Sequence, residues 1–207
     1  MRRRLCLLGL PLALAGCATV LERPYVARQD WALTVPAEPE ADSPGSARRG
    51  RKVLLVRSTL AAPGLGDRGL QTLGPGGTMT TSFYNRWAVS PADGVGASLT
   101  QFLAQSGMFA AVLAPGSLAD ADLTLEPELL ALWSEPAAGR AVASLSIVLL
   151  ATRSLTPRVL VQATETASSP LAGQGPEQDD PEAAVNAQLA ALAAVFRKIE
   201  AALAPFA

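Results

Sequence analysis

The chain has 207 residues, of which 49% are hydrophobic and 17% charged, and its formal net charge at pH 7 is −1. This length suffices for a domain that buries its own core. The sequence contains no histidine, and so the most common general base, the most common metal ligand and the central member of a Ser-His-Asp triad are all absent.

The first 17 residues have the pattern of a lipoprotein signal sequence. Arginines at positions 2–4 are followed by an apolar stretch at 5–14 and by Leu-Ala-Gly-Cys ending at Cys17. This order is typical of a cleaved signal peptide, and the apolar run is about half of the roughly 20 residues that a membrane-spanning helix needs. We predict removal of residues 1–16 and acylation of the Cys17 thiol. The alternative is an ordinary signal peptide in which Cys17 has no role.

Cleavage at this point determines several properties of the mature chain. Cys6 is removed, so no disulfide can form, and the loss of three arginines takes the net charge from −1 to −4. A net negative charge argues against nucleic acid or an anionic surface as the partner, because both select for clustered Lys and Arg. Two or three acyl chains anchor a protein stably where one is marginal. Ala18, rather than Asp, follows Cys17, which favours the outer over the inner membrane as the periplasmic address.

Residues 17–29 are assigned to a lipidated tether and residues 30–207 to a single domain. Residues 36–51 are rich in Pro, Ala, Glu, Ser, Gly and Arg, a composition that cannot bury a core and predicts a mobile loop. Alternating or compact apolar runs predict short strands. These predicted strands lie at 31–35, 53–56, 78–84 and 109–113, and the Gly- and Pro-rich loop at 62–77 is interrupted by apolar residues at 70–73.

Two helices are predicted from their first residues and their apolar faces. Ser90-Pro91 and Asp180-Pro181 both have the cap-then-proline pattern of a helix start, and Gly107 ends the first helix. The second helix has an apolar stripe at helical spacing, so we expect it to pack across a sheet of the same domain. Coiled-coil dimerisation through this stripe is the alternative. The stripe consists of Val185, Leu189, Leu192, Phe196, Ile199 and Leu203.

Three long extended segments follow the first helix, at residues 123–133, 141–152 and 159–166. Gly139 and Arg140 stand between the first two and predict an antiparallel hairpin. With the third segment these strands form a meander. The predicted fold is a two-layer α/β sandwich, in which a mostly antiparallel sheet is covered on one face by two helices.

No residue pattern assembles an active site, and so we predict that the protein is not an enzyme and needs no cofactor or metal. Acylated Cys17 is unavailable as a nucleophile or zinc ligand. The carboxylates at Asp120 and Asp122, and at Glu126 and Glu128, are best explained as charges at a solvated edge. The glycines at 74, 76 and 77 lack the Lys-Ser or Lys-Thr of a phosphate loop.

The sharpest feature is the aromatic and arginine cluster at residues 83–88, just before the first helix. Tyr84, Arg86 and Trp87 are candidate partner-binding residues, because Tyr, Trp and Arg dominate interface hot spots. Tyr84 and Arg86 are the better candidates for exposure. The alternative is that Trp87 fills the junction between strand and helix.

This order of features resembles the ABC-type transport auxiliary lipoproteins, which include the paraquat-inducible lipoproteins encoded beside MCE lipid transporters. The likeness covers about residues 30–203. Two departures are Trp31 in place of an early tyrosine and an atypical loop at 64–77. The residues that carry the resemblance are Tyr84, Asn85, Arg86, Trp87, Ala88, Pro91, Leu99, Leu103, Gly107, Phe109 and Val112.

The resemblance implies a periplasmic subunit that helps an MCE-type ABC system move phospholipids or other lipids between the inner and outer membranes. The partners it implies are the MCE-domain protein, the permease with its ATPase, and a possible second copy of this chain. Two other classes stay open: a lipoprotein that assists outer-membrane assembly or structure, and a secreted hydrolase that uses only carboxylates such as Asp122 and Glu126.

Overall fold

The computed structural model describes residues 25–35, 50–153, 156–172 and 180–207. Cys17, the signal peptide predicted at 1–16, most of the tether and nearly all of the loop predicted at 36–51 lie outside the described residues. None of the helices in the described ranges is long and apolar enough to cross a bilayer.

The described chain forms nine strands and two α-helices, and single 3-10 turns lie at Pro75–Gly77, Pro136–Ala138 and Ala204–Phe206. The helices are α1 (Pro91–Gln105) and α2 (Pro181–Leu203). The strands are β1 (Gln29–Trp31), β2 (Val53–Val56), β3 (Leu60–Ala61), β4 (Gly69–Leu73), β5 (Met79–Trp87), β6 (Ala111–Leu113), β7 (Leu123–Glu135), β8 (Arg140–Ala151) and β9 (Arg158–Pro170).

All strands belong to one sheet in which β7 is central. On one side β7 pairs antiparallel with β8 along its whole length, and β8 pairs antiparallel with β9. Gly139 closes the β7–β8 hairpin with φ of 64°, a left-handed conformation that glycine adopts at no steric cost. The predicted meander is therefore confirmed.

The other side of β7 pairs with three short strands in succession. Leu54 of β2 lies opposite Leu123, Leu60 of β3 opposite Glu128, and Thr72 of β4 opposite Ser134, all in parallel. β6 extends the sheet beyond β2, while β5 and then β1 extend it beyond β4. Only the β4–β5 ladder is antiparallel on this side. The longest ladders are antiparallel, as predicted, but the short parallel pairings were not foreseen.

The two helices cover one face of the sheet, which confirms the predicted sandwich. α2 packs over β8 and β9, α1 packs over β7 and β6, and the two meet where the rings of Phe102 and Phe196 lie 5.6 Å apart. Leu192, Phe196, Ile199 and Leu203 are fully buried. The predicted stripe of α2 therefore packs inside the domain. A coiled-coil dimer would need this stripe to be exposed, and it is buried.

The helix starts are capped as the sequence predicts. The Asp93 N–H donates to Ser90 Oγ at 3.2 Å and the Ser90 hydroxyl donates to Asp93 Oδ2 at 2.6 Å. The Glu182 N–H donates to Asp180 Oδ1 at 3.0 Å. Gly107, with φ of 68°, follows the end of α1. Such caps satisfy N–H groups that have no partner within the helix.

The strand predicted at 31–35 is wrong in its extent, because β1 ends at Trp31. Leu33 and Val35 are buried all the same, each with 5% of its surface exposed. Ser98 of α1 holds this segment: its hydroxyl donates to the Leu33 carbonyl at 3.1 Å and accepts from the Val35 N–H at 3.4 Å. The alternating apolar residues at 31–35 therefore indicated burial against α1, and not a strand that continues in the sheet to residue 35.

Candidate interaction surface

The predicted partner-binding residues lie on β5, which contains a large bulge. The β4–β5 ladder places Gln71 opposite Thr81 and Gly69 opposite Arg86. One residue separates these positions on β4, whereas residues 82–85 separate them on β5, so β5 carries three extra residues. A bulge bends its strand and turns side chains in new directions, and such bulges are over-represented beside functional sites.

Phe83 and Tyr84 lie in this bulge and project to solvent. The two residues are 66% and 44% exposed, and their rings meet edge to face with centroids 5.2 Å apart, an arrangement that aromatic pairs favour. The Asn85 N–H donates to the Ser82 hydroxyl at 3.1 Å across the bulge. The bulge thus presents two rings in a fixed mutual orientation.

The segment before β1 runs beside this bulge, because β1 pairs in parallel with the end of β5. The guanidinium carbon of Arg28 lies 4.5 Å from the Phe83 ring centroid, which is within the range of a cation–π contact. Tyr25 is 90% exposed and Val26 is 53% exposed. We use the name aromatic corner for Arg28, the two exposed residues that closely precede it in the chain and the two rings of the bulge: Tyr25, Val26, Arg28, Phe83 and Tyr84.

An ionic cluster adjoins the aromatic corner. Asp30 Oδ1 accepts from Arg86 at 3.1 Å and from Arg68 at 3.2 Å. Arg68 also donates to the carbonyl oxygens of Trp87 and Ala88, at 2.9 and 2.5 Å. These contacts tie β1, the loop before β4 and the end of β5 together. Because the side chains are partly exposed, the ion pairs contribute modestly to stability.

Trp87 has a different role from the other two predicted residues. Only 1% of its surface is exposed, and it lies opposite Trp31 in the β1–β5 ladder. Its ring therefore cannot contact a partner, and the prediction of Trp87 as a contact residue is corrected to a packing role. The Arg86 side chain is 24% exposed and already pairs with Asp30. Tyr84 is the member of the three that projects outward.

Several residues of this surface were not predicted. Arg28 and Asp30 are more than 50 residues from the bulge at 82–85 in the chain, and no local pattern relates the two segments. The bulge itself has no distinct signal: the sequence predicts one unbroken strand at 78–84, whereas β5 extends over Met79–Trp87 in the structure. The aromatic pair Phe83-Tyr84 is recognisable in the sequence, but its joint exposure is not, because adjacent side chains on a regular strand point to opposite faces. Only the bulge allows both rings to face outward.

The carboxylates considered for hydrolysis are engaged in structural contacts. Asp122 Oδ2 accepts from the Val53 N–H at 2.8 Å, and its other oxygen pairs with Arg153. Glu126 pairs with Arg57 at 2.9 Å. Across the described ranges, no three His, Cys, Asp or Glu side chains lie together as a metal site would require.

The glycine-rich segment at 74–77 is a hairpin loop between β4 and β5. The Gly74 N–H donates to the Thr78 carbonyl at 2.7 Å, and Gly76 and Gly77 have φ of 72° and 80°. Glycine is required here for these left-handed conformations. The loop is thus a turn between strands, as expected in the absence of a phosphate-loop lysine.

A shallow groove of about 560 Å³ lies on the sheet face opposite the helices. Leu55, Leu60 and Val148 form its apolar wall, and the ion pair of Arg57 with Glu126 lies in it. Both charged groups are paired with each other, so the groove offers no free charge from that pair to select a polar ligand.

The comparisons with known proteins agree with this architecture. A family model described as ABC-type transport auxiliary lipoprotein component matches residues 31–200. The chain belongs to this family. The auxiliary lipoprotein family is described as a transport component rather than an enzyme, which associates the protein with an ABC transport system and places it in the cell envelope. No curated protein matches the chain significantly.

Three solved structures share the fold. Protein XCC0632 from Xanthomonas campestris, of the DUF330 family, is 22% identical with a TM-score of 0.67, covering 83% of this chain and 92% of its own. An uncharacterized protein is 13% identical with a TM-score of 0.53, covering 83% and 99%. The hypothetical protein CT253 from Chlamydia trachomatis is 12% identical with a TM-score of 0.50, covering 76% and 98%. At these identities the likeness shows the fold of this auxiliary lipoprotein alone.

Proposed function

We propose that this protein is a lipid-anchored periplasmic subunit of an MCE-type ABC transporter and assists lipid transport between the inner and outer membranes. The observation that carries the proposal is the family match over residues 31–200. The partners in this proposal are the MCE-domain protein and the permease with its ATPase. Assembly as a homo-oligomer remains part of the hypothesis.

The anchor in this proposal is Cys17, acylated after removal of residues 1–16. The Leu-Ala-Gly-Cys sequence supports it, and Ala18 supports delivery to the outer membrane. The contacts of Asp122 with the Val53 N–H and of Glu126 with Arg57 give both carboxylates structural partners, which is consistent with an auxiliary role.

The contact surface in this proposal includes the aromatic corner, with Tyr84 as its centre and Arg86 beside it. Both residues lie next to the point where the tether enters the sheet through β1. A surface beside the lipid tether is positioned to contact either the membrane itself or a transport subunit that is assembled on the membrane.

Affinity purification from cross-linked cells tests the proposed role. A tagged copy of the full chain should co-purify with an MCE-domain protein, a permease and an ATPase. Deletion of the gene that encodes this protein should change the lipid composition of the outer membrane. Recovery of outer-membrane assembly factors in place of a transporter would contradict the proposal and favour the alternative envelope role.

A further inference from the structure

We infer that the aromatic corner is a membrane-surface contact, which seats the domain on an anionic phospholipid bilayer beside its own lipid anchor. This inference rests on the proposed function for the anchor at Cys17. It goes further because it names the occupant of the surface around Tyr84 as a bilayer rather than a transport subunit.

The exposed apolar side chains are concentrated at this corner. Of the nine large hydrophobic side chains exposed in the described ranges, Tyr25, Val26, Phe83 and Tyr84 belong to it. The bulge in β5 and the stacking of Arg28 on Phe83 hold the rings outward. Tyrosine and arginine side chains are suited to the boundary between water and lipid headgroups, because each has an apolar body and a polar end, and Phe83 adds a purely apolar ring beside them.

The length of the tether keeps the corner close to the bilayer. Eight residues lead from Cys17 to Tyr25. An extended chain spans at most about 3.6 Å per residue, so the Cα atoms of Cys17 and Tyr25 lie within roughly 29 Å of each other. No other exposed apolar residue of the described chain is so close in sequence to the anchor. The bilayer is therefore the surface that this corner meets first and at the highest effective concentration.

Local charge distinguishes this corner from the rest of the molecule. Among the described residues, Arg68 and Arg86 share the carboxylate of Asp30 and Arg28 stacks on the Phe83 ring. The whole chain, by contrast, goes from a net charge of −1 to −4 on loss of the three N-terminal arginines. An anionic lipid surface repels a negative protein but attracts arginines within about a Debye length. The corner is thus the part that approaches such a bilayer favourably.

Depth-dependent fluorescence quenching in proteoliposomes tests the inference. The full lipidated protein is reconstituted in vesicles of zwitterionic and anionic phospholipids that carry brominated acyl chains. Phe83→Trp reports on the corner. Leu118→Trp is the matched control, because Leu118 is fully exposed and follows β6, which lies near the start of β7, whereas β5 and β1 lie near the end of β7. The parent protein supplies the baseline for its own three tryptophans.

We expect the added tryptophan of Phe83→Trp to be quenched at least about twofold more than that of Leu118→Trp, as interfacial aromatic residues are. Arg28→Gln with Tyr84→Ser, added to Phe83→Trp, should bring quenching down to the control level without a change in melting temperature. Equal quenching of the two reporters would overturn the inference. The inference would also be overturned if the Phe83→Trp tryptophan became shielded from solvent only after transport subunits were added, because the occupant would then be a protein.

The anchor is checked separately in the same samples. Flotation with the vesicles and the acyl mass on Cys17 test the proposed function. A floated and acylated protein whose Phe83→Trp reporter is not quenched refutes the membrane contact alone, whereas a protein without acyl mass refutes the anchor.

Discussion

Trp87 and Tyr84 lie three residues apart on β5 and have opposite environments. Trp87 is 1% exposed and Tyr84 is 44% exposed. The bulge ends between them: Arg86 returns to the ladder with β4, and Trp87 pairs with Trp31 of β1. Within three residues, the same strand thus supplies both a surface residue and a core residue.

Replacement of the two aromatic residues should separate these roles. Trp87→Ala should lower the free energy of unfolding by about 3–5 kcal/mol, since it leaves a large cavity. Tyr84→Ala with Arg86→Ala should cost about 1 kcal/mol or less, because exposed contacts and ion pairs contribute little. Urea denaturation of the variants measures both. A Trp87→Ala protein as stable as its parent would contradict the buried position of the ring.

Glu135 carries the clearest electrostatic signature among the described residues. The hydrogen bond from the Arg140 guanidinium, at 2.7 Å, and then that from the Trp133 indole, at 3.1 Å, lower the pKa of the Glu135 carboxyl from its ordinary value of 4.5. A carboxyl with a lower pKa in the folded state stabilises the fold above its unfolded pKa, and this contribution is lost as the pH falls through the folded pKa.

Glu135→Gln should therefore lose stability mainly at neutral pH. The difference in unfolding free energy between the parent and Glu135→Gln should shrink as the pH falls below 4.5, since the parent carboxyl then protonates. Urea denaturation of both proteins at neutral and at acidic pH checks this prediction. The difference in unfolding free energy between parent and variant is compared at the two pH values. A difference that is independent of pH would mean that Glu135 acts by packing alone.

At the scale of elements, Gly69 permits the bulge that forms the aromatic corner. A Cβ atom on Gly69 would clash with the Ser82 carbonyl oxygen, and it would lie 2.5 Å from Cγ2 of Thr81. The obstacle is main chain, which cannot rotate away as a flexible side chain can. The close approach of β4 to the bulge thus depends on a residue without a side chain.

Gly69→Ala should lower the free energy of unfolding by about 1–3 kcal/mol, as overpacking does. Gly66→Ala is the matched control, because a Cβ atom on Gly66 would meet no atom within 4 Å. Thermal melts of the two variants measure the difference. Equal stability of the two variants would show that the bulge moves to accommodate the new methyl group.

The apolar stripe of α2 is the second feature at this scale. Leu192 is fully buried, whereas Ala190 on the same helix is exposed. Leu192→Asp should unfold the domain, because an unpaired buried carboxylate costs several kcal/mol against a total stability of about 5–15 kcal/mol. Ala190→Asp should fold. Circular dichroism distinguishes the outcomes, and a folded Leu192→Asp protein would contradict the packing of α2 on the sheet.

At the scale of the whole molecule, the two ends of the sheet have different surroundings under the proposed function. Both β1 and β6 lie on the side of β7 away from β8 and β9: β1 lies beyond β4 and β5, near the end of β7, and β6 lies beyond β2, near the start of β7. A membrane contact at the aromatic corner would direct the β6 end away from the bilayer. That end would then be free to meet transport subunits that span the periplasm.

Cys17→Ser tests the tether on which this orientation depends. Without the thiol no diacylglycerol can be attached, so the protein should appear as an unprocessed precursor or in the soluble periplasmic fraction. Intact-mass spectrometry of membrane fractions provides the measurement. A parent protein that retains Cys17 but carries no acyl mass would contradict the lipoprotein assignment for this chain.

The sequence by itself determined the features that depend on residues close together in the chain. Ser90-Pro91 and Asp180-Pro181 begin helices because the cap and the fixed proline φ act locally. The stripe of α2 and the β7–β8 hairpin follow from periodicity and from a glycine at the turn.

Only the tertiary structure decided how distant segments meet. The parallel pairing of β2, β3 and β4 along β7 joins strands that are each too short to indicate their neighbours. Asp30 bridges Arg68 and Arg86 from 38 and 56 residues away. The exposure of Phe83 with Tyr84 depends on a bulge that arises from the register between β4 and β5. Register is a property of two strands together, so the sequence of either strand alone cannot specify it.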